Sequence, residues 1–412
     1  MRVVADLHLH SKYARGTSPK CDIRGLAEGA KIKGINLIAT GDFTHPAYFQ
    51  EIRRELKNES GGVFPYRGVN FILSTELSVI YQLNGKTKKM HHVVMVPSLD
   101  IAEQVIDAVG KFGDLRSDGR PMLKMSSAQL ADELFSISEK VVLIPAHVWT
   151  PWFSLFGSSS GVDSVEEAFE EHSRRIFALE TGLSSDPEMN WMLSSLDRYA
   201  LVSNSDAHSL EKLGREANVL ELPDVSYDSL VDAIKSRRGF AKTYEFYPEE
   251  GKYHYDGHRK CGVVMSPQES IQGNLLCPVC RKKLTIGVLH RIVELADRKQ
   301  GFHPENAVDF QYTVPLTTVI SRALGKGEKT KSVLEEYSRL IRYFGSEFSV
   351  YEAKSSQIRL AASPEVAEAL IRVMEGRVRW VPGHDGVFGK LILGDNISKD
   401  AIDKKQSSLD DF

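Results

Sequence analysis

Seven short β-rich runs punctuate the first 245 residues, and most of them stop at acidic or imidazole side chains: RVVADLHLH, INLIATGD, NFILSTELSV, HHVVMVP, KVVLIPAH, RIFALETG and YALVSNSDAH. Helical patterns lie between them, such as DIRGLAEGAKIKG, whose spaced apolar residues run up to a terminating glycine. This alternation predicts a mainly parallel sheet or barrel with helices outside it. Ligand sites in such folds gather at the C-terminal ends of strands. Six of the seven runs end in His, Asp or Glu: Asp6, His8 and His10; Asp42 and His45; Glu76; His147; Glu180; Asp206 and His208; His91 and His92 open the fourth run. Groups so costly to bury unpaired are not collected at strand ends by packing alone.

Side chains on a strand repeat every two residues, so His8 and His10 share a face and can share one divalent cation. Asp6 is placed to brace that site from behind its ligands. Imidazoles mixed with carboxylates suit Zn, Mn or Fe, and a carboxylate such as Glu76 can bridge two ions. Multinuclear sites with open positions hydrolyse phosphoesters, because the ions acidify water and neutralise phosphate charge.

DLHLH, ATGDFTH, IPAHVW and SDAH, in this order over about 210 residues, resemble the four motifs of the PHP (polymerase and histidinol phosphatase) superfamily. The resemblance implies an α/β chain that opens with a distorted βα barrel and holds two or three divalent ions (Zn, Mn, Mg or Fe) at its mouth. Carried over by motif, His8, His10, Glu76 and Asp206 hold the first ion. Glu76, one of His91 and His92, and His147 hold the second, His92 being the one taken. Asp42 and His208 hold the third, and His8, His10, Glu76, His147, Asp206 and His208 form the catalytic set. Two departures stand out: Asp42 occupies a place where the family more often has His, and SKYARGTSP lacks the usual extra His, for which His45 is the candidate substitute.

Beyond Tyr244 the texture changes. His258-x2-Cys261, fifteen intervening residues and Cys277-x2-Cys280 match the spacing of a closed structural zinc site, with His254 a nearby rival for the imidazole position. Cys21 is left over as an inert small residue. The formal net charge of −3 hides an uneven distribution: −6 over residues 1–280, +5 over 281–393 and −2 over 394–412. A basic part after an acidic, metal-binding part suits a nucleic-acid partner. In RVRWVPGHDGVFGKL, glycine amides beside Arg377, Arg379 and Lys390 could take phosphates, and Trp380 could stack on a base. SVLEEYSRLIRYF and SPEVAEALIRVM carry the apolar stripes of core helices. No run of about 18 apolar residues exists, and the opening MRVVADLHLH has no signal-peptide pattern, so the expectation is a cytoplasmic protein with no membrane partner.

Gln406-x2-Leu409-x2-Phe412, behind the polar tether SKDAIDKK, resembles the motif by which repair proteins bind the sliding clamp (PCNA). The expected division is a barrel over 1–245, a zinc module over 246–290, a mainly helical DNA-binding domain over 291–393 and a tail over 394–412. This order resembles the endonuclease Q family of DNA-repair enzymes. The resemblance implies cleavage 5′ to deaminated bases (uracil, hypoxanthine, xanthine) or abasic sites, in an archaeal host with a trimeric clamp. Extruding a damaged base requires a walled pocket; the candidates are Lys12, Tyr13, Arg15, Phe43, Trp149 and Trp152. The alternatives are a small-molecule phosphatase on the same metals and a noncatalytic clamp-associated scaffold.

Overall fold

Each of the seven β-rich runs contains a strand. A computed structural model, which describes residues 1–393, places β1 at Arg2–Asp6, β2 at Leu37–Ala39, β3 at Phe64–Tyr66, β4 at Val69–Leu83, β5 at Lys86–Val96 and β6 at Met122–Leu123. Then follow β7 at Val142–Pro145, β8 at Ala178–Glu180, β9 at Ala200–Val202, β10 at Ala217–Glu221 and β11 at Phe240–Glu245. The main sheet runs β11-β10-β1-β2-β4-β5-β7. Its directions are mixed, which corrects the expectation of a mainly parallel sheet: β1–β2 and β2–β4 are parallel, whereas β4–β5, β5–β7, β1–β10 and β10–β11 are antiparallel. A tight turn is one cause. Asn84 and Gly85, with φ of 51° and 73°, join Leu83 to Lys86, and a two-residue connection can only bring the chain back antiparallel.

The sheet curls as a half-barrel. The Val148 N–H donates to the Glu180 carbonyl at 3.0 Å, so the parallel pair β8–β9 continues round from the end of β7. Past β1, Leu9 bridges Ala207, and the His10 N–H donates to the Ala207 carbonyl at 2.9 Å. The strand ends with the unusual residues are thereby drawn around one mouth. Helices α1 (Ile23–Lys33), α2 (Pro46–Glu55), α3 (Leu99–Val109) and α4 (Ser127–Ile137) lie between strands in the chain. Local chemistry sets the limits of α1: the Asp22 side chain accepts from the Gly25 N–H at its start, and Gly34 ends it at φ 91°. Its inward face buries Ile23, Leu26, Ala27 and Ala30; each large aliphatic so buried stabilises the fold by roughly 1.5–3 kcal/mol.

The described chain divides into two units: Met1–Leu183, Asp197–Glu245 and Asn306–Gln311 form the first, and Ser184–Leu196, Phe246–Glu305 and the residues from Tyr312 onward form the second. Within the second, the hairpin of Asp256–His258 and Val263–Met265 precedes helices at Val288–Leu295, Leu316–Leu324, Lys331–Phe344 and Pro364–Met374. Val333, Leu340, Val366, Leu370 and Val373 meet in one apolar cluster with Tyr337, Ile341 and Phe344 packed against it, while Leu334 is 46% exposed. The terminal hairpin, Arg379–Val381 with Lys390–Ile392, requires a correction. Trp380 is buried in that cluster rather than free to stack on a base. The amides of Gly383, Gly386 and Gly389 donate to the carbonyls of Glu249, Lys252 and Glu250, which removes them as phosphate donors. Buried backbone groups find protein partners when packing brings one close. Among the described residues no helix is long and apolar enough to cross a membrane.

Candidate active site

β1 ends in Asp6, and the residues that follow it, with Leu9 bridged to Ala207, bring His8 and His10 to the mouth. There they meet Glu76 of β4 and Asp206 beyond β9: one ligand atom from each of the four lies within 4.8 Å of all the others. Glu76 also belongs to a second such set, with His91 and His147. Glu76 Oε2 stands 3.4 Å from His8 Nε2 and 3.1 Å from His10 Nε2, while Oε1 stands 2.8 Å from His91 Nδ1 and 3.1 Å from His147 Nε2. Its two oxygens thus face different imidazole pairs. His8 Nε2, His10 Nε2 and Asp206 Oδ1 are buried without a properly directed hydrogen bond. Orphaned buried donors and acceptors are rare in folded proteins, and imidazole and carboxylate atoms converging on one point fit a divalent cation.

The opposite side of each imidazole is held. His8 Nδ1 lies 3.0 Å from both oxygens of Glu180, and Glu180 also accepts the His147 N–H at 2.9 Å and the Asn204 side-chain amide at 2.8 Å. His10 Nδ1 lies 2.9 Å from Asp42 Oδ1, and Asp42 Oδ2 accepts from the Ser11 N–H at 2.6 Å and its hydroxyl at 2.7 Å. A carboxylate on Nδ1 fixes the tautomer that presents the Nε2 lone pair. Asp6 accepts the N–H groups of Ser205 and Gly214, both at 3.0 Å, and so tethers the segment that carries Asp206; its burial pushes its carboxyl up to about 6. Asp42, His147 and Asp206 all have positive φ, at 43°, 31° and 46°. Non-glycine residues hold that conformation only where surrounding structure imposes it.

Charge balances inside the mouth. Burial alone would lower the pKa of His8 and His10, but Glu180 and Glu76 around the first and Asp42 and Asp206 around the second outweigh it, and both rise well above the ordinary imidazole value. Burial would raise Glu76, yet His91, Arg120 and His8 hold it well below the carboxylate range.

Among the expected residues, several fall elsewhere. Neighbours on a strand face opposite ways, and on β5 it is His91 that joins Glu76; His92 points to Ser127, 2.9 Å from its hydroxyl, and burial pulls its pKa down to about 3. This corrects the choice of His92. Asp42 is occupied by His10 and Ser11 and joins no metal-holding set among the described residues. His208, expected beside Asp42 as a ligand of a third ion, likewise joins no such set among the described residues; its ring lies 4.5 Å from that of His10 and its Nδ1 3.0 Å from the Asp206 carbonyl. Phe43 and Trp149 are fully buried, Trp149 against Phe156, so neither can form a pocket wall; both directly follow residues at positive φ or one position beyond, where the chain turns back to the core. Lys12 pairs with Glu51 at 2.7 Å, Arg15 with Asp118 at 3.5 Å, and Tyr13 stacks on His45 at 4.4 Å. Trp152 is 44% exposed. Sequence patterns missed Arg120, whose guanidinium donates to Glu76 at 3.1 Å, and the bracing parts played by Glu180 and Asn204.

In the second unit, His258, Cys261, Cys277 and Cys280 bring ligand atoms within 4.8 Å of one another, whereas His254 is buried and stacks on Tyr255. The Cys277 thiol is raised by burial but lowered further by the N–H groups of Cys280 and Val279, to about 6. Three sulfurs and an imidazole fit tetrahedral zinc. Gln406, Leu409 and Phe412 lie outside the described residues.

Residues 198–238 match the profile of a PHP-associated family, and residues 315–376 match that of the MJ0043 C-terminal domain. The uncharacterized protein YqxK of Bacillus subtilis is 28% identical over 413 residues, covering 95% of this chain and 99% of its own length. The uncharacterized protein MJ0043 of Methanocaldococcus jannaschii is 32% identical over 250 residues, which cover 59% of this chain and 31% of that protein. The crystal structure of the lesion-specific endonuclease PfuEndoQ from Pyrococcus furiosus superposes with a TM-score of 0.86 at 30% identity, covering 100% of this chain and 99% of that one. A structure of endonuclease Q with a 27-mer duplex substrate bearing an abasic lesion at the active site gives the same TM-score and identity, covering 99% of each chain.

Proposed function

The chain belongs to the endonuclease Q family of PHP-type DNA-repair endonucleases, and from that membership we propose that it hydrolyses the phosphodiester immediately 5′ to a deaminated base (uracil, hypoxanthine or xanthine) or an abasic site. The products would carry 3′-hydroxyl and 5′-phosphate ends. The observation that supports this most is Glu76 shared between two convergent donor sets. His8, His10, Glu76 and Asp206 would hold one divalent ion, and Glu76, His91 and His147 a second. Bound there, such ions supply Lewis-acid charge neutralisation and acidify water for attack on phosphorus. Glu180 and Asp42 keep His8 and His10 in the tautomer that faces the ions. His208 donates from Nδ1 to the Asp206 carbonyl, and its Nε2 has no partner among the described residues. Burial and the neighbouring His10 lower its pKa, so it is neutral at pH 7 and suited to accept a proton at Nε2.

His258, Cys261, Cys277 and Cys280 would hold a structural zinc, and the tail residues Gln406, Leu409 and Phe412 would bind a sliding clamp. A 5′-labelled duplex with one deoxyinosine or abasic site, incubated with Mg²⁺ or Mn²⁺, should be nicked at the lesion, and His8→Ala should reduce the rate by roughly a hundred-fold or more, as loss of a metal-binding donor does. An intact duplex, or undiminished nicking by His8→Ala, would sink this reading. Turnover of p-nitrophenyl phosphate without DNA cleavage would replace it with a small-molecule phosphatase.

A further inference from the structure

The segment between α3 and β6 carries an arginine into the mouth. β6 runs parallel to β4 with Met122 beside Ser78, and two residues back along each strand Arg120 comes beside Glu76. One guanidinium nitrogen donates to Glu76 Oε2 at 3.1 Å. A guanidinium offers five N–H donors in a rigid fork; among the described residues this one makes no side-chain hydrogen bond besides that to Glu76, though the charges of Asp206 and Asp118 also act on it. The side chain is 28% exposed, so those donors reach solvent.

The backbone beneath Arg120 is pinned. Asp118 Oδ1 accepts the N–H groups of Arg15 and Arg120, each at 3.2 Å, and the Gly119 N–H donates to the Tyr13 carbonyl at 3.0 Å. A Cβ on Gly119 would stand 2.5 Å from Asp42 Oδ2, so only glycine lets the segment lie this close to the carboxylate that orients His10. Arg120 is therefore presented by a fixed scaffold.

Electrostatics names its ligand. Arg120 brings a permanent positive charge to the mouth, and its pair with Glu76 uses one of its nitrogens. A single phosphodiester carries the complementary charge and has two nonbridging oxygens for the free donors. We propose that Arg120 is a substrate-binding residue that takes a nonbridging oxygen of the scissile phosphate through the donors its pair with Glu76 leaves free. This rests on the phosphodiester-hydrolase reading above.

The test compares binding of two fluorescent abasic duplexes in Ca²⁺, which fills the ion sites and leaves the zinc of the second unit in place, one with the ordinary phosphate 5′ to the lesion and one with a neutral methylphosphonate there. The wild-type protein should prefer the charged duplex by roughly ten-fold, the worth of one charge-assisted hydrogen bond. Arg120→Ala should lose most of that preference, Arg120→Lys should keep more of it, and both should take up as many active-site ions as wild type by elemental analysis. An undiminished preference in Arg120→Ala overturns the inference, as does a loss of bound ions with the preference intact, which marks a purely structural ion pair. A wild-type protein that nicks no lesion duplex in Mn²⁺ overturns the underlying reading instead.

Discussion

Glu180 shows how much of this site is built behind the atoms that do chemistry. It joins neither metal-holding set, yet it fixes His8, the His147 backbone and Asn204 together. Glu180→Gln preserves size but replaces one acceptor with a donor. It should lower metal affinity at the mouth by roughly 10–100-fold, as loss of an outer hydrogen-bond partner does, measurable by competition with a fluorescent chelator. Unchanged affinity would show that His8 needs no brace. At this scale the sequence told which residue types converge, because imidazoles and carboxylates at strand ends have few other uses. It could not choose between His91 and His92, since adjacent residues take opposite faces and only the pairing of β5 decides which face is the mouth. Nor could it place Arg120, whose neighbour is set by a two-residue strand with no detectable period.

Among elements, the strand runs were legible from composition and alternation, but their directions were not, because direction is decided by turns such as Asn84–Gly85 and by long-range pairing. The terminal hairpin makes the same point. Its glycines look like a phosphate cradle in sequence, and the structure uses them for close backbone approach: a Cβ on Gly389 would stand 2.0 Å from the Glu249 carbonyl oxygen. Gly389→Ala must therefore move main chain, and should destabilise the second unit by about 1–3 kcal/mol, the usual cost of overpacking. Chemical denaturation followed by near-ultraviolet absorption or circular dichroism checks this, and an unaltered midpoint would contradict the contact.

For the whole molecule, the buried acids and imidazoles predict a pH dependence that reverses with metal. Without active-site ions, His8 and His10 are raised well above their ordinary value and Glu249 sits at about 7. A group with a raised folded-state pKa stabilises below its unfolded value, and that stability is lost as pH rises through the folded value. Below about pH 6.5 the depressed His91, His92 and His254, at about 4, 3 and 3, work in the opposite sense, so the informative window lies above it. Without active-site ions but with zinc held by the cysteines, so that the lowered Cys277 thiol does not titrate, the protein should melt at lower temperature as pH is raised from 6.5 to 8.5, whereas with Mn²⁺ added the ions displace those protons and the trend should flatten or invert. Identical trends with and without metal would contradict the charge balance drawn for the mouth. The positive φ of Asp42, His147 and Asp206 adds a last consequence. Glycine adopts positive φ freely, so at those three positions a glycine should relieve backbone strain while removing the polar side chain the mouth uses. Stability and chemistry are thereby opposed at these positions, and a variant that melts higher there should work less well.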